Sequence, residues 1–298
     1  MVVRFGLVGI DTSHVVAFTQ RLNHLEIAAD QWVDGGQVVA VLPFPSRHSP
    51  ERVAGFTQQL RDYGLTFCDR PEDLIGQVDG ILVEENDGTV HLERAMPFLE
   101  AGLPVFVDKP LASNTADARS LVAAAHRRQA PLLSASSLRY DLSVQEVQRR
   151  RGEWGAVLGV DSHTPASQHP LNPGWLNYGI HGVEIVYALL GPGCRRVRSV
   201  RQEGVDVAVG EWADGRIATV RGIRTGRAAI GLTAFMEKKI ASLENSAYAY
   251  RELLKQIVGM CQSKRSPVAG EELVEVIAFQ EAANRSMEQD GAPIDVAV

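Results

Sequence analysis

The stretch VVRFGLVGIDTSH, which runs from Val2 to His14, predicts a buried β-strand that passes through a tight turn into a helix. Residues 2–8 form a short and almost continuously apolar run, which is typical of a strand covered on both faces of a parallel sheet. Thr12 and Ser13 are residue types that commonly cap helices. Beyond them, apolar side chains recur at the spacing of one helical face, at Val15, Phe18, Leu22 and Leu25. The chain therefore opens with a strand–turn–helix unit.

The first half of the chain repeats this alternation of short apolar runs and helical patterns. A helix is predicted over residues 91–101, with a kink or an early stop at Pro97, and Ser113-Asn114-Thr115 predicts the start of another helix. Because βαβ crossovers are right-handed, such units stack into an open, doubly wound parallel sheet with helices on both faces. We therefore expect a Rossmann-like domain over residues 1–137, with strands at 2–8, 37–42, 80–83, 105–107 and 131–135.

The second half follows a different pattern, in which apolar and polar residues alternate along consecutive short runs. Gly204 and Asp214-Gly215 separate these runs, and Asp-Gly is a strong hairpin signal. Consecutive hairpins build an antiparallel sheet rather than further βαβ units. We expect an α+β domain over residues 138–298 with a large, mostly antiparallel open sheet, so that the fold class of the whole chain is α/β. The predicted strands are 156–163, 195–201, 205–212, 216–224 and 227–235, and the predicted helices are 179–190, 247–262 and 271–287.

The composition is that of a soluble globular protein and argues against several classes of partner. The 36 acidic and 30 basic residues give a formal net charge of −6, and the basic residues are scattered, so no basic groove for nucleic acid is expected. The three cysteines lack the paired spacing of zinc sites, which fits a reducing compartment. The first residues lack the features of a signal peptide, and no apolar run reaches the ~18 residues of a membrane span. We expect a cytoplasmic protein that binds neither nucleic acid nor membranes.

The turn after the first strand occupies the place of the G-x-G-x-x-G loop that binds a dinucleotide pyrophosphate. Gly9 supplies the first glycine, but Asp11 and His14 stand at the second and third positions. A carboxylate at the second position adds bulk and negative charge where the backbone normally approaches the pyrophosphate. Thr12 and Ser13 can still cap the helix, whose free N–H groups hold an anion. The alternative is a βα turn that binds no ligand.

The end of the second strand bears on the choice between the two nicotinamide cofactors. An acidic residue there holds the ribose hydroxyls of NAD, whereas residues 43–48 read PFPSRH and contain no carboxylate. Ser46 and Arg47 can instead hold a 2′-phosphate, so this segment favours NADP over NAD; an ordinary surface loop is the alternative. An acidic patch of Glu84, Glu85 and Asp87 follows the predicted strand 80–83. We interpret it either as a group that grips sugar hydroxyls or disfavours anionic substrates, or as a solvated loop.

Four segments, in chain order, resemble motifs of the Gfo/Idh/MocA oxidoreductase family. Residues 79–83 (DGILV) with the following His91, and residues 101–112 (AGLPVFVDKPLA), resemble the family's strand and its E-K-P motif. Residues 152–160 (GEWGAVLGV) resemble its G-x-x-G-x-hydrophobic strand entry, and residues 177–184 (NYGIHGVE) resemble its D-x-G-x-H-x-x-D helix motif. The resemblance covers nearly the whole chain. It implies a nicotinamide cofactor, NADP or NAD, a sugar or polyol substrate, and a homo-oligomer formed through the C-terminal sheet.

The resemblance also implies roles for residues at matching positions. Lys109 matches the family's active-site lysine, His181 its active-site histidine, and Asn177 stands where the family usually has an aspartate. Asp108 replaces the glutamate of E-K-P, and Glu184 replaces the final acid of the helix motif. We expect Asn177, His181 and Glu184 to share one helical face, and Lys109, His181 and Asn177 to be catalytic. The expected cofactor-binding residues are Gly9, Asp11, Thr12, Ser13, His14, Ser46, Arg47, Glu84, His91, Asp108, Lys109 and Pro110.

Hydride transfer between a sugar alcohol and nicotinamide requires a group that takes up or returns the hydroxyl proton. Lys109 is the expected acid or base, and His181 shares the proton or binds the hydroxyl, whereas Asn177 can only orient a substrate. The leading hypothesis is an NAD(P)-dependent oxidoreductase of a sugar, cyclitol or related polyol. The alternatives are a lyase or glycoside-cleaving relative that uses transient oxidation or a metal, and a non-catalytic, sugar-sensing pseudo-oxidoreductase. His163, His169 and His181 lack zinc-site spacing, so no metal is expected.

Overall fold

The structure of the protein, a computed structural model, describes residues 2–298 and consists of two compact units. Unit 1 contains the residues up to Ala135 together with Tyr250–Gly270, and unit 2 contains Ser136–Ala249 together with Glu271–Val298. The expected division used a single cut between residues 137 and 138, whereas the structure returns the segment Tyr250–Gly270 to unit 1. Within residues 2–298, no helix is long and apolar enough to cross a membrane.

Six strands form the sheet of unit 1: β1 (Val3–Val8), β2 (Gly36–Leu42), β3 (Thr66–Phe67), β4 (Gly80–Val83), β5 (Val105–Val107) and β6 (Leu132–Ser134). Their order across the sheet is β3-β2-β1-β4-β5-β6, and every neighbouring pair is parallel. The predicted Rossmann-like sheet is thus confirmed, with the two-residue strand β3 in addition. The strand order reverses between β1 and β4, and in open sheets of this kind ligands bind at the carboxyl edge beside such a reversal.

Five helices connect these strands: α1 (His14–Leu22), α2 (Pro50–Asp62), α3 (Pro71–Leu74), α4 (His91–Glu100) and α5 (Thr115–Arg128). Helix α1 ends before Leu25, which was expected to belong to its apolar face. Helix α4 continues through Pro97, so the early stop expected there does not occur; a proline so close to the helix end removes only one backbone hydrogen bond. Helix α5 begins after Asn114, whose side chain accepts a hydrogen bond from the Asp117 N–H.

Unit 2 is built on a seven-stranded sheet. The remaining elements of the chain are α6 (Leu142–Arg149), α7 (Arg151–Trp154), β7 (Val157–Pro165), α8 (Ile180–Leu190), β8 (Cys194–Gln202), β9 (Val205–Trp212), β10 (Ile217–Ile223), β11 (Gly231–Met236), β12 (Ile240–Glu244), α9 (Ala249–Ser263), α10 (Gly270–Glu288) and β13 (Ile294–Asp295). The strand order is β12-β11-β7-β10-β9-β8-β13. All neighbouring pairs are antiparallel except β7 and β10, so the predicted mostly antiparallel sheet is confirmed.

The edge strands β12 and β13 of this sheet were not predicted. Strand β12 pairs with β11 from Phe235–Ile240 to Gly231–Glu244, and the connection between them reads Glu237-Lys238-Lys239. A turn of this composition carries neither the glycine nor the asparagine that usually indicates a hairpin. Strand β11 itself begins at Gly231, later than the predicted start at residue 227.

Helix α9 packs in unit 1 because glycines allow it to approach the amino ends of two strands. A Cβ atom on Gly36, the first residue of β2, would lie 3.0 Å from Val258 Cγ2. A Cβ atom on Gly80, the first residue of β4, would lie 2.8 Å from Cys261 Sγ. The apolar face of α9 is buried, including Leu254. This long-range contact explains why the chain crosses back into unit 1 after residue 249.

Glu275 of α10 anchors the end of α8, the helix that carries His181. Its carboxylate accepts hydrogen bonds from the Gly193 N–H (2.8 Å), the Cys194 N–H (2.7 Å) and the Tyr187 hydroxyl (3.1 Å). Tyr187 lies near the end of α8, Cys194 is the first residue of β8, and Gly193 directly precedes it. Because Glu275 is buried, no water is available to replace it as the acceptor of these three donors.

The substitution Glu275→Ala is expected to lower the free energy of unfolding by about 3 kcal/mol, because it leaves three donors without their acceptor. Urea unfolding followed by tryptophan fluorescence measures this loss in unit 2, which contains three of the four tryptophans. The control is Glu288→Ala, at an exposed glutamate on the same helix, which should change the free energy by less than about 0.5 kcal/mol. Equal stability of the two variants would contradict the anchoring role of Glu275.

Candidate functional site

Three ionisable side chains meet at the carboxyl edge of the unit 1 sheet. His14 begins α1 after the turn that follows β1, while Glu84 directly follows β4 and Asp108 directly follows β5. The Nδ1 atom of His14 lies 3.2 Å from Asp108 Oδ2 and 3.6 Å from Glu84 Oε2. The exposed fraction is 8% for His14 and 0% for each of the two acids. Parallel strands thus bring together three residues that the sequence had assigned to cofactor binding one by one.

Aromatic rings enclose the imidazole of His14. The ring of Phe18 stacks on it with a centroid distance of 4.8 Å and an interplanar angle of 10°. The ring of Tyr250, from α9, meets it edge-on at 5.0 Å. Because these apolar surfaces exclude water, the charges of the cluster act on one another through a medium of low dielectric constant.

The charge states of the cluster follow from burial and from this proximity. Burial raises the pKa of Glu84 to about 7. Burial alone would lower the pKa of His14, but the carboxylates of Asp108 and Glu84 raise it well above its usual value. Burial alone would raise the pKa of Asp108, but His14 and Lys109 hold it below its usual value. Near neutral pH the cluster therefore holds an imidazolium and the Asp108 carboxylate, with Glu84 partly protonated.

Lys109 lies beside this cluster. Its Nζ atom is 3.9 Å from Asp108 Oδ2, and its side chain is 11% exposed. The Lys109 N–H donates a hydrogen bond to Asp108 Oδ1 (2.7 Å), and the peptide bond from Lys109 to Pro110 is cis. His91 lies behind this loop, with Nδ1 2.7 Å from the carbonyl oxygen of Pro110 and Nε2 2.8 Å from that of Glu85. The buried His91 therefore holds the loop that carries Lys109 against the loop that follows β4.

The turn between β1 and α1 retains glycine geometry at Gly9 and replaces it at Asp11. Gly9 has a φ of +77°, and a Cβ atom there would lie 2.1 Å from Glu85 Cγ, so only glycine fits. The buried carboxylate of Asp11 accepts hydrogen bonds from the Asn86 N–H (2.7 Å) and from the Ser46 hydroxyl (2.5 Å). The aspartate at the second glycine position therefore links the loops that follow β1, β2 and β4.

The two hydroxyl residues of this turn behave differently. Thr12 Oγ1 accepts a long hydrogen bond of 3.3 Å from the His14 N–H. Ser13 occupies the position before the helix, but its side chain makes no capping hydrogen bond. Side-chain capping of α1 is therefore weak, and it comes from Thr12 alone.

A cavity of about 610 Å³ opens beside Asp11 at the ends of β1, β2 and β4. Arg47 pairs there with Asp87 (2.7 Å), and Arg94 pairs with Glu85 (3.1 Å). Burial raises the pKa of Glu85 to about 7. The lining residues carry four carboxylates against two guanidinium groups: Asp11, Pro45, Ser46, Arg47, Glu85, Asp87, Thr89, Val90, Glu93 and Arg94.

This arrangement corrects one interpretation of the acidic patch after β4. Glu84, Glu85 and Asp87 are all buried, so the patch is not a solvated loop. Asp87 is held by Arg47 and by the Thr89 hydroxyl, which donates to it at 2.5 Å. Glu84 faces the His14 cluster, whereas its two acidic neighbours face the cavity. The patch therefore divides its charges between two adjacent places on the sheet edge.

The residues expected from the helix motif of residues 177–184 lie in unit 2, where each has different neighbours. His181 stands at the start of α8, and its Nδ1 atom is 2.7 Å from the Ser136 hydroxyl. Asn177 lies before the helix, with φ −77° and ψ −91°, and its amide donates to the Ser167 carbonyl oxygen (2.8 Å). The expectation that Asn177 shares a helical face with His181 is therefore wrong, because α8 begins only at Ile180.

Glu184, the last acid of that motif, belongs to a buried ion-pair network. Its carboxylate accepts a short hydrogen bond from Arg139, which also donates to Glu272 at 2.6 Å. Both Glu184 and Arg139 are buried. Burial raises the pKa of Glu184, and Arg139 opposes this effect. The Glu184 carboxylate therefore has a structural role: through Arg139 it connects the short 3₁₀ helix of residues 137–140 with α8 and α10.

Sequence reasoning missed several residues that shape these sites. Arg94 lies one helical turn after His91 on α4, and its guanidinium sits 3.8 Å from the centre of the Phe44 ring. The spacing of three residues from His91 was a usable signal for Arg94, because such residues share a helical face. Ser136 and Arg139 gave no comparable signal, since they lie in a short irregular segment far from their partners in sequence.

The first part of the chain is similar to a known protein family. Residues 3–136 match the model of the Gfo/Idh/MocA family, an oxidoreductase family with an NAD-binding Rossmann fold. The YceM protein of Salmonella typhimurium is 29% identical over 149 residues, which cover 49% of this chain and 46% of that protein. Inositol 2-dehydrogenase 2 of Saccharopolyspora erythraea is 29% identical over 199 residues, which cover 64% of this chain and 53% of that protein. The matches span about half the length of these curated relatives.

A solved structure has a similar fold over both units of this chain. The crystal structure of scyllo-inositol dehydrogenase from Lactobacillus casei, solved with NAD(H) and scyllo-inositol, matches over 100% of both chains with a TM-score of 0.81. The sequence identity of 13% means that this match speaks for the fold alone. The evidence for the family comes from residues 3–136, which match the family model and contain the motifs around Lys109. Residues 3–136 thus form an NAD-binding Rossmann domain of the Gfo/Idh/MocA oxidoreductase type.

Proposed function

We propose that the protein transfers a hydride between NAD(H) and a hydroxyl group of a cyclitol or a related sugar. The observation that carries this proposal is the buried amine of Lys109, held beside Asp108 at the carboxyl edge of the Rossmann sheet. This is the edge at which such sheets bind their ligands. One curated relative is named inositol 2-dehydrogenase 2, and the solved neighbour is a scyllo-inositol dehydrogenase, which supports cyclitols as the first substrates to test.

The residues at the sheet edge fit a dinucleotide. The positive φ of Gly9 gives the turn the shape that a glycine-rich phosphate loop requires. The adjacent cavity of about 610 Å³ lies within the ~300–1,000 Å³ range of small-molecule sites. Ser46, Thr89 and Asp87 line it with groups that can bind ribose hydroxyls. When NAD is bound, its nicotinamide supplies the hydride acceptor or donor.

Lys109 is the group that we assign to proton transfer. In the direction of alcohol oxidation, its neutral amine accepts the hydroxyl proton while the carbon loses its hydride. The Asp108 carboxylate, 3.9 Å from Nζ, stabilises the resulting ammonium and keeps the amine in place. In the direction of reduction the same ammonium returns the proton. His91 contributes indirectly, since it holds the Pro110 carbonyl and with it the loop.

His181 and Asn177 remain part of the proposal with different roles. The Nδ1 atom of the His181 imidazole lies 2.7 Å from the Ser136 hydroxyl, and we assign the imidazole to binding a substrate hydroxyl. The Asn177 amide donates to Ser167, so we assign it to positioning the segment before α8 rather than to proton transfer.

The substitution Lys109→Met is expected to lower kcat/KM for cyclitol oxidation by a factor of about 10²–10⁴, because it removes the proton acceptor. The assay follows NADH absorbance with scyllo-inositol, myo-inositol and a panel of sugars. Lys239→Met, at an exposed lysine of unit 2, is the control and should retain full activity. The proposal fails if the Lys109 variant is as active as the wild type, or if the wild type binds NADH but oxidises none of these polyols.

The charge of the cavity favours NAD over NADP. Arg47, which the sequence had offered as a ligand for a 2′-phosphate, is occupied by Asp87 at 2.7 Å and by the Thr89 hydroxyl at 2.8 Å. Ser46 donates to Asp11. A 2′-phosphate would therefore meet an excess of carboxylates and no unoccupied cation, whereas the ribose hydroxyls of NAD can donate to those carboxylates.

The substitution Asp87→Asn is expected to shift selectivity towards NADPH by about tenfold, because it releases Arg47 and removes one negative charge from the cavity. Fluorescence titration with NADH and, separately, NADPH gives the ratio of the two Kd values. Glu72→Gln, at an exposed acid outside the cavity, serves as the control and should leave the ratio unchanged. Tighter binding of NADPH than NADH by the wild type would refute the proposed preference.

We also propose that the outer face of the unit 2 sheet joins copies of the chain into a homo-oligomer. Ile240, Phe235 and Ile217 form an exposed apolar row across β12, β11 and β10, with Gly159 of β7 between the last two. An open sheet face that leaves such side chains in water is typical of an interface. The second copy would cover this row with its own identical row about a two-fold axis.

Ile217→Lys is expected to convert the wild-type oligomer into a monomer, because it places a charge in the apolar row that the second copy would bury. Size-exclusion chromatography with light scattering measures the mass of each species. Ile75→Lys, at an exposed isoleucine of unit 1, should leave the oligomer intact. A monomeric wild type at micromolar concentration would rule out this interface.

A further inference from the structure

The cluster of His14, Glu84 and Asp108 has the composition of a metal site. One nitrogen of the imidazole and one oxygen of each carboxylate all lie within 4.8 Å of one another. Within residues 2–298, no other group of three histidine, cysteine, aspartate or glutamate side chains converges in this way. All three residues are buried, so a solvated acidic surface does not account for their convergence.

The ligand atoms of the cluster lack hydrogen-bond partners. His14 Nδ1 and Asp108 Oδ2 face each other at 3.2 Å without the geometry of a hydrogen bond, and both carboxylate oxygens of Glu84 are buried without a hydrogen bond. Buried polar atoms are normally paired, because an unpaired one costs the free energy of its lost hydration. Here four such atoms, from the start of α1 and the ends of β4 and β5, lie around one small volume, which is the arrangement that a shared cation satisfies.

We propose that His14, Glu84 and Asp108 bind one divalent transition-metal ion, for which Zn²⁺ and Mn²⁺ are the probes. A mixed set of one imidazole nitrogen and two carboxylate oxygens suits these ions, whereas Mg²⁺ and Ca²⁺ prefer oxygen ligands alone. With metal–ligand bonds of ~2.1 Å, neighbouring ligand atoms lie ~3.0–3.5 Å apart. The distances from His14 Nδ1, 3.2 Å to Asp108 Oδ2 and 3.6 Å to Glu84 Oε2, are close to this range.

The charges around the cluster are consistent with a bound cation. Two carboxylates face the site, and the cation nearest to them apart from His14 is Lys109, whose Nζ is 3.9 Å from Asp108 Oδ2. The remaining neighbours of His14 are the apolar ring of Phe18 and the edge of Tyr250. A divalent ion in this enclosed volume would balance the charges of the two carboxylates.

The experiment measures metal content directly. The full chain is treated with a chelator, freed of it, incubated with Zn²⁺ or Mn²⁺, passed through a gel-filtration column and analysed by mass spectrometry for bound metal. The wild type is expected to retain about one equivalent per chain. Glu84→Gln, Asp108→Asn and His14→Asn are each expected to weaken binding by at least about tenfold, since each removes a ligand.

Two matched controls separate this site from adventitious binding. Glu72→Gln and His126→Asn make the same chemical changes at exposed positions of unit 1 outside the cavity and should bind metal like the wild type. With Co²⁺ as a probe, the visible absorption of the bound ion should change in His14→Asn, because a nitrogen ligand is lost. Circular dichroism of each metal-free variant tests whether the substitution preserves the fold.

The proposal is overturned if the chelator-treated wild type retains no more metal than a protein without such a cluster. It is equally overturned if the three cluster variants bind as well as the wild type, since the metal would then lie elsewhere. The outcome is independent of the proposed hydride transfer, because metal retention is measured without nicotinamide or substrate. A protein that binds NADH and no metal would retain the proposed function and lose this inference.

Discussion

Two carboxylates buried at the carboxyl edge of a parallel sheet, those of Glu84 and Asp108, impose the constraint that organises unit 1. Removing a carboxylate from water costs several kcal/mol even after the protein relaxes, so each buried acid requires a nearby compensating charge or a retained proton. His14, on α1, and Lys109, just after the end of β5, supply the compensating positive charges. The position of the lysine amine, and hence its chemistry, follows from the same need for charge balance.

The buried carboxylate of Asp11, in the loop after β1, likewise requires partners. In a G-x-G-x-x-G loop the second glycine leaves room for a pyrophosphate to approach the backbone. Here the carboxylate at that position is bonded to Asn86 and Ser46, so it ties three loops together instead of remaining a free negative charge. Gly9 is retained because Glu85 fills the space that a side chain would need. The edge of this Rossmann sheet is therefore rich in paired acids where the usual loop is rich in glycine.

The sequence predicted those features that depend on neighbouring residues. The strand β1, its turn, the cap of α5 and the hairpin at Asp214-Gly215 are local patterns, and the structure contains each of them. The sequence did not predict that His14, Glu84 and Asp108 would converge, because they belong to α1 and to the ends of β4 and β5, and only the strand order brings them together. The packing of α9 in unit 1 was not predicted either, because it depends on long-range contacts with two glycines at the starts of distant strands.

The helix motif in unit 2 illustrates why a matching letter need not carry the same role. Asn177, His181 and Glu184 have the spacing of one helical face, yet the helix begins only at Ile180. Asn177 consequently turns to Ser167, and Glu184, which is on the helix, is neutralised by Arg139. An acid that is already paired with a buried guanidinium cannot exchange a proton at neutral pH without breaking that pair. Of the three positions, His181 alone keeps a group suited to proton chemistry, which is the reason for its place in the proposed function.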